Sequence, residues 1–447
     1  MHPAPYRDER LPRYTSYPTA PHFGASVGAN DYAAWLGELP PDLDTSLYVH
    51  MPFCRSMCWY CGCHTTVALR DGPIEAYLKA LHAEIDLVAA NVPASLPVRH
   101  LHFGGGTPTI IEPADFAALM AHLRGRFAIA RDAEIAVEID PRRLATAMIA
   151  ALAAGGVNRA SLGVQSFDPA VQKAINRIQS LDQTGAVVEG LRSAGIASIS
   201  FDLIYGLPLQ TVASCIETVE QCLGLAPDRI SVFGYAHVPA FKKHQRRIRD
   251  EELPGGAARQ EQAEAIAERL VAAGYRRIGL DHFARPGDAM AQAQAENRLH
   301  RNFQGYTTDA CQTLIGLGAS AIGRLPQGYV QNDTVIGRYS EFLAAGALPT
   351  AKGYRLSAED KLRAEVIERL MCDMEVDIDA ICARHGVAAG TLSSAFGRLQ
   401  PLAEEGLITL SGASVRMHDE SRLMARKVAS AFDAYLDQTA RRFSPAV

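Results

Sequence analysis

Short apolar runs rich in β-branched residues alternate with longer segments of helical period from Ser46 to about Val238. The strand-like runs are Ser46–His50, Val98–Phe103, Glu134–Ile139, Ala160–Gly163, Ser198–Leu203 and Ile230–Tyr235. Between them lie helical stretches such as Pro73–Ala89, Pro113–Leu123, Arg143–Ala154, Thr184–Ala194 and Thr211–Leu223. Six such alternations predict an α/β fold with a parallel sheet and right-handed crossovers. Periodicity alone does not separate a barrel from a doubly wound sheet.

The polar residues at the strand ends do. Cysteines follow the first strand, and Gly104-Gly105-Gly106-Thr107-Pro108 follows the second. The third ends in Glu138 and Asp140, the fourth in Gln165, the fifth in Asp202 and the sixth in Tyr235-Ala236-His237. Barrels build their sites from the carboxyl ends of many strands, whereas a doubly wound sheet concentrates its ligand at one switch point. A partial, TIM-like (β/α)6 barrel is therefore expected.

From about Leu356 the pattern changes. Ala358–Met371, Asp379–His385 and Thr391–Glu404 have helical character, Leu407–Leu410 and Ser414–Met417 form a hairpin, and Glu420–Thr439 suggests a long closing helix. Such an order resembles a winged-helix module. DNA binding would need a basic face, yet this stretch carries fewer Lys and Arg than Asp and Glu. A cover packed on the barrel is expected instead. The expected organisation is an amino-terminal segment over the barrel mouth (1–45), a barrel with a substrate-side extension (46–355) and a mainly helical, winged-helix-like domain (356–447).

Composition narrows the class further. The chain has 447 residues, 48% of them hydrophobic, and a net charge of −5 with both signs interspersed. That is ample for a large core and offers no nucleic-acid or membrane surface. Met1 to Tyr14 is polar and proline-broken, and no apolar run approaches a transmembrane length. Nine cysteines without an export signal point to a reducing, cytoplasmic setting.

Four of those cysteines, Cys54, Cys58, Cys61 and Cys63, fall within ten residues as C-x3-C-x2-C-x-C. Structural zinc usually takes a second, distant Cys or His pair, which does not follow here. A disulfide framework suits a small secreted domain. Redox-active thiols are a further reading. Cluster-binding cysteines do come in tight local runs, and three thiolates can each hold one iron of a cubane, leaving the fourth iron open. Cys215, Cys222, Cys311, Cys372 and Cys382 lie in apolar or helical patterns and are expected to be small buried hydrophobes. The triple glycine lets backbone approach a ligand without Cβ atoms, and it lacks both the dinucleotide and the Walker spacing.

The cysteine run with the following Gly-Gly-Gly-Thr-Pro resembles the radical S-adenosylmethionine (SAM) superfamily. Within it the chain resembles the oxygen-independent coproporphyrinogen III oxidases, or dehydrogenases, along nearly its whole length. The matching segments are RYTSYP (Arg13–Pro18), HFGGGTPT, VEIDPR, LGVQSF, INRIQ, FDLIYGLPLQT, DRISVFGYAHVP, GLDHFARP, HRNFQGYTT and GLGASAI. The resemblance implies a [4Fe–4S] cluster held by Cys54, Cys58 and Cys61, with Cys63 catalytic but not a ligand. It implies one SAM near Tyr48, Gly105, Glu138, Ala236 and Ile322, with Tyr48 and Glu138 also catalytic. A second SAM would lie by Tyr60, Gly106, Thr107, Gln165, Arg177 and Asp202. Arg177 suits a carboxylate and Asp202 an ammonium or ribose. Without the family, Arg177 reads as a surface ion pair and Asp202 as a strand-end cap. Tyr60 stands where many relatives carry Phe, a change that preserves stacking.

The implied reaction starts when the reduced cluster cleaves the sulfonium to methionine and a 5′-deoxyadenosyl radical. The radical takes hydrogen from a propionate β-carbon. Loss of carbon dioxide and one electron leaves a vinyl group, so two such steps turn coproporphyrinogen III into protoporphyrinogen IX. The expected partners are that substrate and a reduced one-electron donor, flavodoxin-like, with the chain a monomer.

Carboxylate-binding candidates are Arg13 with Tyr14 and Tyr17, Lys242 and Lys243, and His300-Arg301-Asn302, with Gln304 and Tyr306 lining the cavity. Arg246, Arg247 and Arg249 read as a solvated face. The rival readings are a haem chaperone-like relative and a radical SAM haem-degrading methyltransferase. RYTSYP and Cys63 argue against the first, and the intact LGVQSF, INRIQ and HRNFQGYTT against the second.

Overall fold

The computed structural model describes residues 9–436. Its main sheet has twelve strands: β1 (Thr45–Met51), β2 (Pro97–Gly105), β3 (Ala128–Ile139), β4 (Arg159–Gln165), β5 (Ser198–Tyr205), β6 (Arg229–Gly234), β7 (Arg276–Ile278), β8 (His282–Ala284), β9 (Thr313–Leu317), β10 (Ile322–Leu325), β11 (Gly328–Asn332) and β12 (Thr350–Arg355). Across the sheet they run β12-β11-β10-β9-β1-β2-β3-β4-β5-β6-β8-β7.

β1 to β6 are neighbours in chain order and all parallel. A doubly wound sheet reverses its order at a switch point. No reversal occurs here, which selects the partial barrel. Helices cover the outer face and bury one apolar row of each strand, while the other row carries polar residues such as His102, Glu138, Ser161 and Asp202. Register brings Leu47 beside Leu101, Leu101 beside Ile135 and Phe201 beside Ile230, all buried. Burying each such side chain is worth about 1.5–3 kcal/mol, and a one-residue slip would forfeit a whole row.

The flanks extend the barrel. β9 runs parallel to β1, β10–β12 continue antiparallel, and β8 and β7 add antiparallel strands beyond β6. Gly24 bridges Gly353 on the outer edge of β12. These additions come from residues 276–355, where the strands have three to six residues and carry little pattern of their own. No helix among the described residues is long and apolar enough to cross a membrane.

After Ser357, which caps the helix Ala358–Asp373 through its Oγ, come helices Ile378–Arg384 and Phe396–Glu404. Strands Ile408–Ser411 and Ser414–Met417 pair as the sequence suggests, and Glu375–Asp377 adds a third strand. Thr391–Glu404 is not one helix: a 3-10 turn at Ser393–Ala395 precedes Phe396–Glu404. The long closing helix is also absent. Asp419–Met424 is a 3-10 segment, Ala425–Ser430 a short α-helix, and the chain then turns, while 437–439 lie outside the described residues. Tertiary bonds explain the break. Asp433 accepts from Tyr14 Oη at 3.0 Å, and the Ala434 N–H donates to Tyr17 Oη at 2.9 Å. Met371, Leu399 and Phe432 share one buried cluster with Leu47 and Ile135, so the carboxyl-terminal region packs on the barrel.

Candidate active site at the carboxyl end of the barrel

β1 delivers the chain into the cysteine loop, whose Phe53–Cys54 pairs with Thr66–Val67. The Cys54 sulfur accepts from Thr65 Oγ1 at 3.3 Å and Thr107 Oγ1 at 3.4 Å. The Cys58 sulfur accepts from Arg142 Nη2 at 3.5 Å and Arg177 Nη1 at 3.6 Å. Burial pushes the Cys54 thiol up, and its two hydroxyl donors oppose that. Hydrogen bonding from Cys63 is the main influence holding Cys61 down at about 7. These donors all favour thiolates, the form that binds metal.

A single zinc with bonds of about 2.3 Å would draw its sulfurs to within about 3.8 Å of one another. Among the described residues, the three ligand atoms that gather within 4.8 Å of one another belong instead to His100, Asp309 and Cys311. The sulfurs of Cys54, Cys58 and Cys61 do not gather that closely, a spacing compatible with three corners of a cubane. Cys215, Cys222, Cys372 and Cys382 are buried as expected; Cys311 departs from that pattern, half-buried beside Asp309.

Two neighbouring segments hold the loop's backbone. Trp59 N–H donates to the Ile175 carbonyl at 2.9 Å, and Asn176 Nδ2 donates to the Met57 carbonyl at 2.8 Å. Beyond β6, His244 Nε2 donates to the Cys61 carbonyl at 2.7 Å and Gln245 Nε2 to the Tyr60 carbonyl at 3.0 Å. Lys242 Nζ donates to the Cys63 carbonyl at 2.9 Å, so it serves the loop and not a substrate carboxylate. Lys243, Arg246, Arg247 and Arg249 are exposed. His244 and Gln245 lie outside every matching segment, Asn176 (in INRIQ) and Arg142 (in VEIDPR) were given no role there, and sequence reasoning passed over the contacts of all four.

The residues expected around the first SAM fall into one close group and two outliers. Glu138 Oε2 accepts from the Gly105 N–H at 3.1 Å, and its Oε1 lies 3.2 Å from His102 Nε2. A Cβ on Gly104 would sit 2.8 Å from Glu138 Oε1 and 2.9 Å from the Tyr48 ring, and Gly105 has φ +117°, so both must be glycine. His50 Nε2 bonds the His64 carbonyl and so carries the proton. Its Nδ1 therefore accepts from Tyr48 Oη at 2.9 Å, and burial keeps the ring neutral. Tyr48 pairs with Gly316, whose pro-Cβ position meets the Ile322 carbonyl, so Ile322 is one strand further out. Ala236 lies on the opposite flank, its carbonyl tied to Gln245 at 3.2 Å.

The second set lines the β2-to-β5 side. The N–H groups of Gly106 and Thr107 are engaged by the Met51 and Phe53 carbonyls, so neither is a free donor. Arg177 is no surface ion pair. It is 6% exposed, donates to the Gly163 carbonyl at 2.6 Å and lies 3.4 Å from Asp140, and its buried Nε finds no partner. Gln165 has φ +68°, and a Cβ on Gly163 would meet its amide nitrogen at 2.9 Å. Asp202 accepts from Ser161 Oγ at 3.0 Å; burial, then the Glu138 charge, raises its carboxyl. Tyr60 packs with Val171 and Ile175 beside the loop.

A cavity of about 430 Å³ opens next to this end of the barrel. Its wall includes Cys63, the aromatic side chains of Tyr205, Phe233 and Phe303, and Gln304. Five guanidinium groups also line it (Arg13, Arg259, Arg277, Arg301 and Arg426), with Asp281 as the one acid. Arg259 Nε, Arg277 Nε and both Nε and Nη1 of Arg301 are buried without a hydrogen-bond partner. Of the carboxylate-binding candidates, Arg13 and Arg301 line this cavity. Tyr14, Tyr17, His300 and Asn302 line an adjoining cavity beside the helix Ala358–Asp373, which shares Thr15, Arg301 and Phe303 with this one. Tyr306 lies beneath Arg301, 4.4 Å from ring centre to guanidinium, and donates to the Met371 carbonyl at 2.6 Å.

A partial barrel with an open-cornered three-thiolate loop at its carboxyl end defines a radical SAM enzyme, and the radical SAM superfamily profile matches residues 48–222. The HemN C-terminal domain profile matches residues 356–424. The oxygen-independent coproporphyrinogen III oxidase of Bradyrhizobium diazoefficiens is 59% identical over 442 residues, 99% of this chain and 98% of that one. That of Pseudomonas aeruginosa is 41% identical, covering 97% and 95%. The solved structure of Escherichia coli coproporphyrinogen III oxidase (HemN), described as a radical SAM enzyme, superposes with a TM-score of 0.91 at 38% identity, over 95% of this chain and 98% of that one. The chain belongs to the oxygen-independent coproporphyrinogen III oxidase family, whose [4Fe–4S] cluster and SAM the cysteine loop fits.

Proposed function

We propose that this chain converts two propionates of coproporphyrinogen III to vinyl groups without oxygen, giving protoporphyrinogen IX. The cavity carries the reading. Five guanidiniums against one carboxylate leave four excess positive charges, the complement of a substrate with four carboxylates. Burial lowers the Arg13 and Arg426 guanidiniums, and the charges of neighbouring guanidiniums lower them further, so a polyanion in this cavity would relieve repulsion. Its aromatic wall suits the apolar macrocycle.

When bound, the cluster and SAM supply hydrogen-atom abstraction from an unactivated carbon. Cys54, Cys58 and Cys61 would hold the cluster, and Arg142 and Arg177 donate to the Cys58 sulfur, which would draw charge from that ligand. Glu138 offers oxygens to the cationic or hydroxylated parts of the first SAM, with Tyr48, Gly105, Ala236 and Ile322 shaping its site. Tyr60, Gly106, Thr107, Gln165, Arg177 and Asp202 take the second. Cys63, on the wall shared by loop and cavity, presents a thiol held protonated beside Cys61 to the reacting propionate. Arg13 and Thr15 bring the amino-terminal segment into the cavity wall, where it would exclude water.

We assign three working parts, 1–45 as lid, 46–355 as barrel and 356–447 as cover, acting as a monomer in the cytoplasm with a flavodoxin-like electron donor. The test is anaerobic. Reconstituted protein, reductant, SAM and coproporphyrinogen III are incubated and followed by mass. Loss of two carboxyl groups is expected; a full cluster with no product would favour a haem-carrying role instead.

A further inference from the structure

The cavity's single acid cancels one of its five positive charges, and a carboxylate facing a polyanion's cavity needs a partner of its own. Asp281 lies between β7 and β8 with its side chain 18% exposed, facing the cavity. One oxygen accepts from His282 Nδ1 at 2.7 Å. The His282 ring is itself held edge-on by Phe233 and Tyr306. Among the described residues, no guanidinium comes within ion-pairing distance of Asp281. Burial alone would raise its carboxyl, but the His282 bond and the charges of Arg301 and Arg13 hold it below the ordinary range. It is an ionised acceptor, fixed in direction, with lone pairs open to the cavity.

A tetrapyrrole substrate has two kinds of polar group. The propionates at its rim need donors, which the arginines supply. The four pyrrole N–H groups at the centre of a porphyrinogen need an acceptor, and saturated bridges let them tilt to one face. A carboxylate offers about four lone-pair sites. On the reading given above, we infer that Asp281 accepts the inner N–H groups of the porphyrinogen, positioned by His282, and so selects the reduced macrocycle over the oxidised porphyrin. The flat porphyrin has only two inner N–H groups, and its two imine nitrogens would direct lone pairs at the carboxylate.

Coproporphyrinogen III and coproporphyrin III share their four carboxylates, so their relative affinity isolates the centre from the rim. Both are titrated anaerobically into the cluster-loaded protein. The wild type should prefer the porphyrinogen by about 30-fold, from hydrogen bonds to a charged acceptor. Asp281→Asn should reduce the preference to about threefold or less while iron and sulfide content stays full, and Asp281→Glu should restore part of it. An unchanged preference in Asp281→Asn, or an equal loss for both ligands, would overturn the assignment. Should Asp281→Asn fail to fold, a wild type binding both ligands equally overturns it alone. A wild type that binds the porphyrinogen selectively but never decarboxylates it would remove the proposed reaction and leave this assignment standing.

Discussion

The cysteine loop and the arginine cavity share a wall at Cys63, yet they treat charge in opposite ways. In the loop, the Cys54 and Cys58 sulfurs each have two donors, and the backbone is pinned by Asn176, His244 and Gln245. In the cavity, guanidinium nitrogens of Arg259, Arg277 and Arg301 are buried without partners. A site for a resident cofactor can be completed by the fold, because its occupant is always there. A site for a transient polyanion must leave its donors unspent, and the free protein bears the repulsion until substrate arrives.

The largest expected effect tests the loop. Cys58→Ser should lose the cluster and lower turnover by at least about 10⁴-fold, checked by iron and sulfide content and by product formation. A variant that kept both would break the comparison at its first term.

A satisfied buried charge away from both regions calibrates them. Glu84 accepts from the Gly318 N–H and Tyr339 Oη, both at 2.6 Å, yet burial pushes its carboxyl up to about 7. The folded state therefore keeps this proton where the unfolded chain has lost it. Its contribution to stability falls as pH rises from about 4.5 to 7, by about 3 kcal/mol in all. Glu84→Gln cannot titrate, so wild-type stability should fall relative to it across that window, read by denaturant unfolding at pH 4.5, 6 and 7.5. Parallel curves would mean that its donors keep Glu84 ionised throughout.

The two guanidiniums closest in chemistry but opposite in setting give the sharpest contrast. Arg142 donates to Asp140 at 2.6 Å and to Cys58. Arg142→Met should destabilise the loop, by about 1–3 kcal/mol, and lower kcat about tenfold or more. Arg277→Met in the cavity should instead leave kcat nearly unchanged and raise KM about tenfold. Its Tm should rise, through about 1 kcal/mol of relieved repulsion. Thermal melts and steady-state kinetics on the pair decide it. A lower Tm for Arg277→Met would show the cavity charges to be already compensated. The smallest effect is ionic: raising salt should weaken substrate binding by a few-fold and leave SAM binding almost unaltered.

Legibility followed the range of the forces involved. The six barrel strands were readable to within a residue or two at most ends, because short β-branched runs alternate with helical segments and end in polar or glycine-rich residues; β3 began earlier than expected, at Ala128. β7 to β12 were not, being short edge strands whose partners lie far away in sequence. Lys242 looked like a carboxylate binder because its charge is visible and its bond to the Cys63 carbonyl is not. The closing helix failed for a related reason: propensity over residues 420–439 gave way to bonds that Asp433 and Ala434 make with Tyr14 and Tyr17.

The sequence alone determined the cofactor chemistry, since three thiolates at short spacing act through local geometry and one strand-to-loop turn is enough to present them. It likewise determined the barrel, through apolar runs long enough to pair. Only the tertiary structure decided the substrate cavity. Arg13, Arg259, Arg277, Arg301 and Arg426 come from five separate parts of the chain; Arg13 and Arg301 stood out as candidates, but Arg259, Arg277 and Arg426 each read as an ordinary charge. Folding brings them round one space with Asp281, because electrostatic complementarity depends on distance in space and leaves no trace in spacing along the chain.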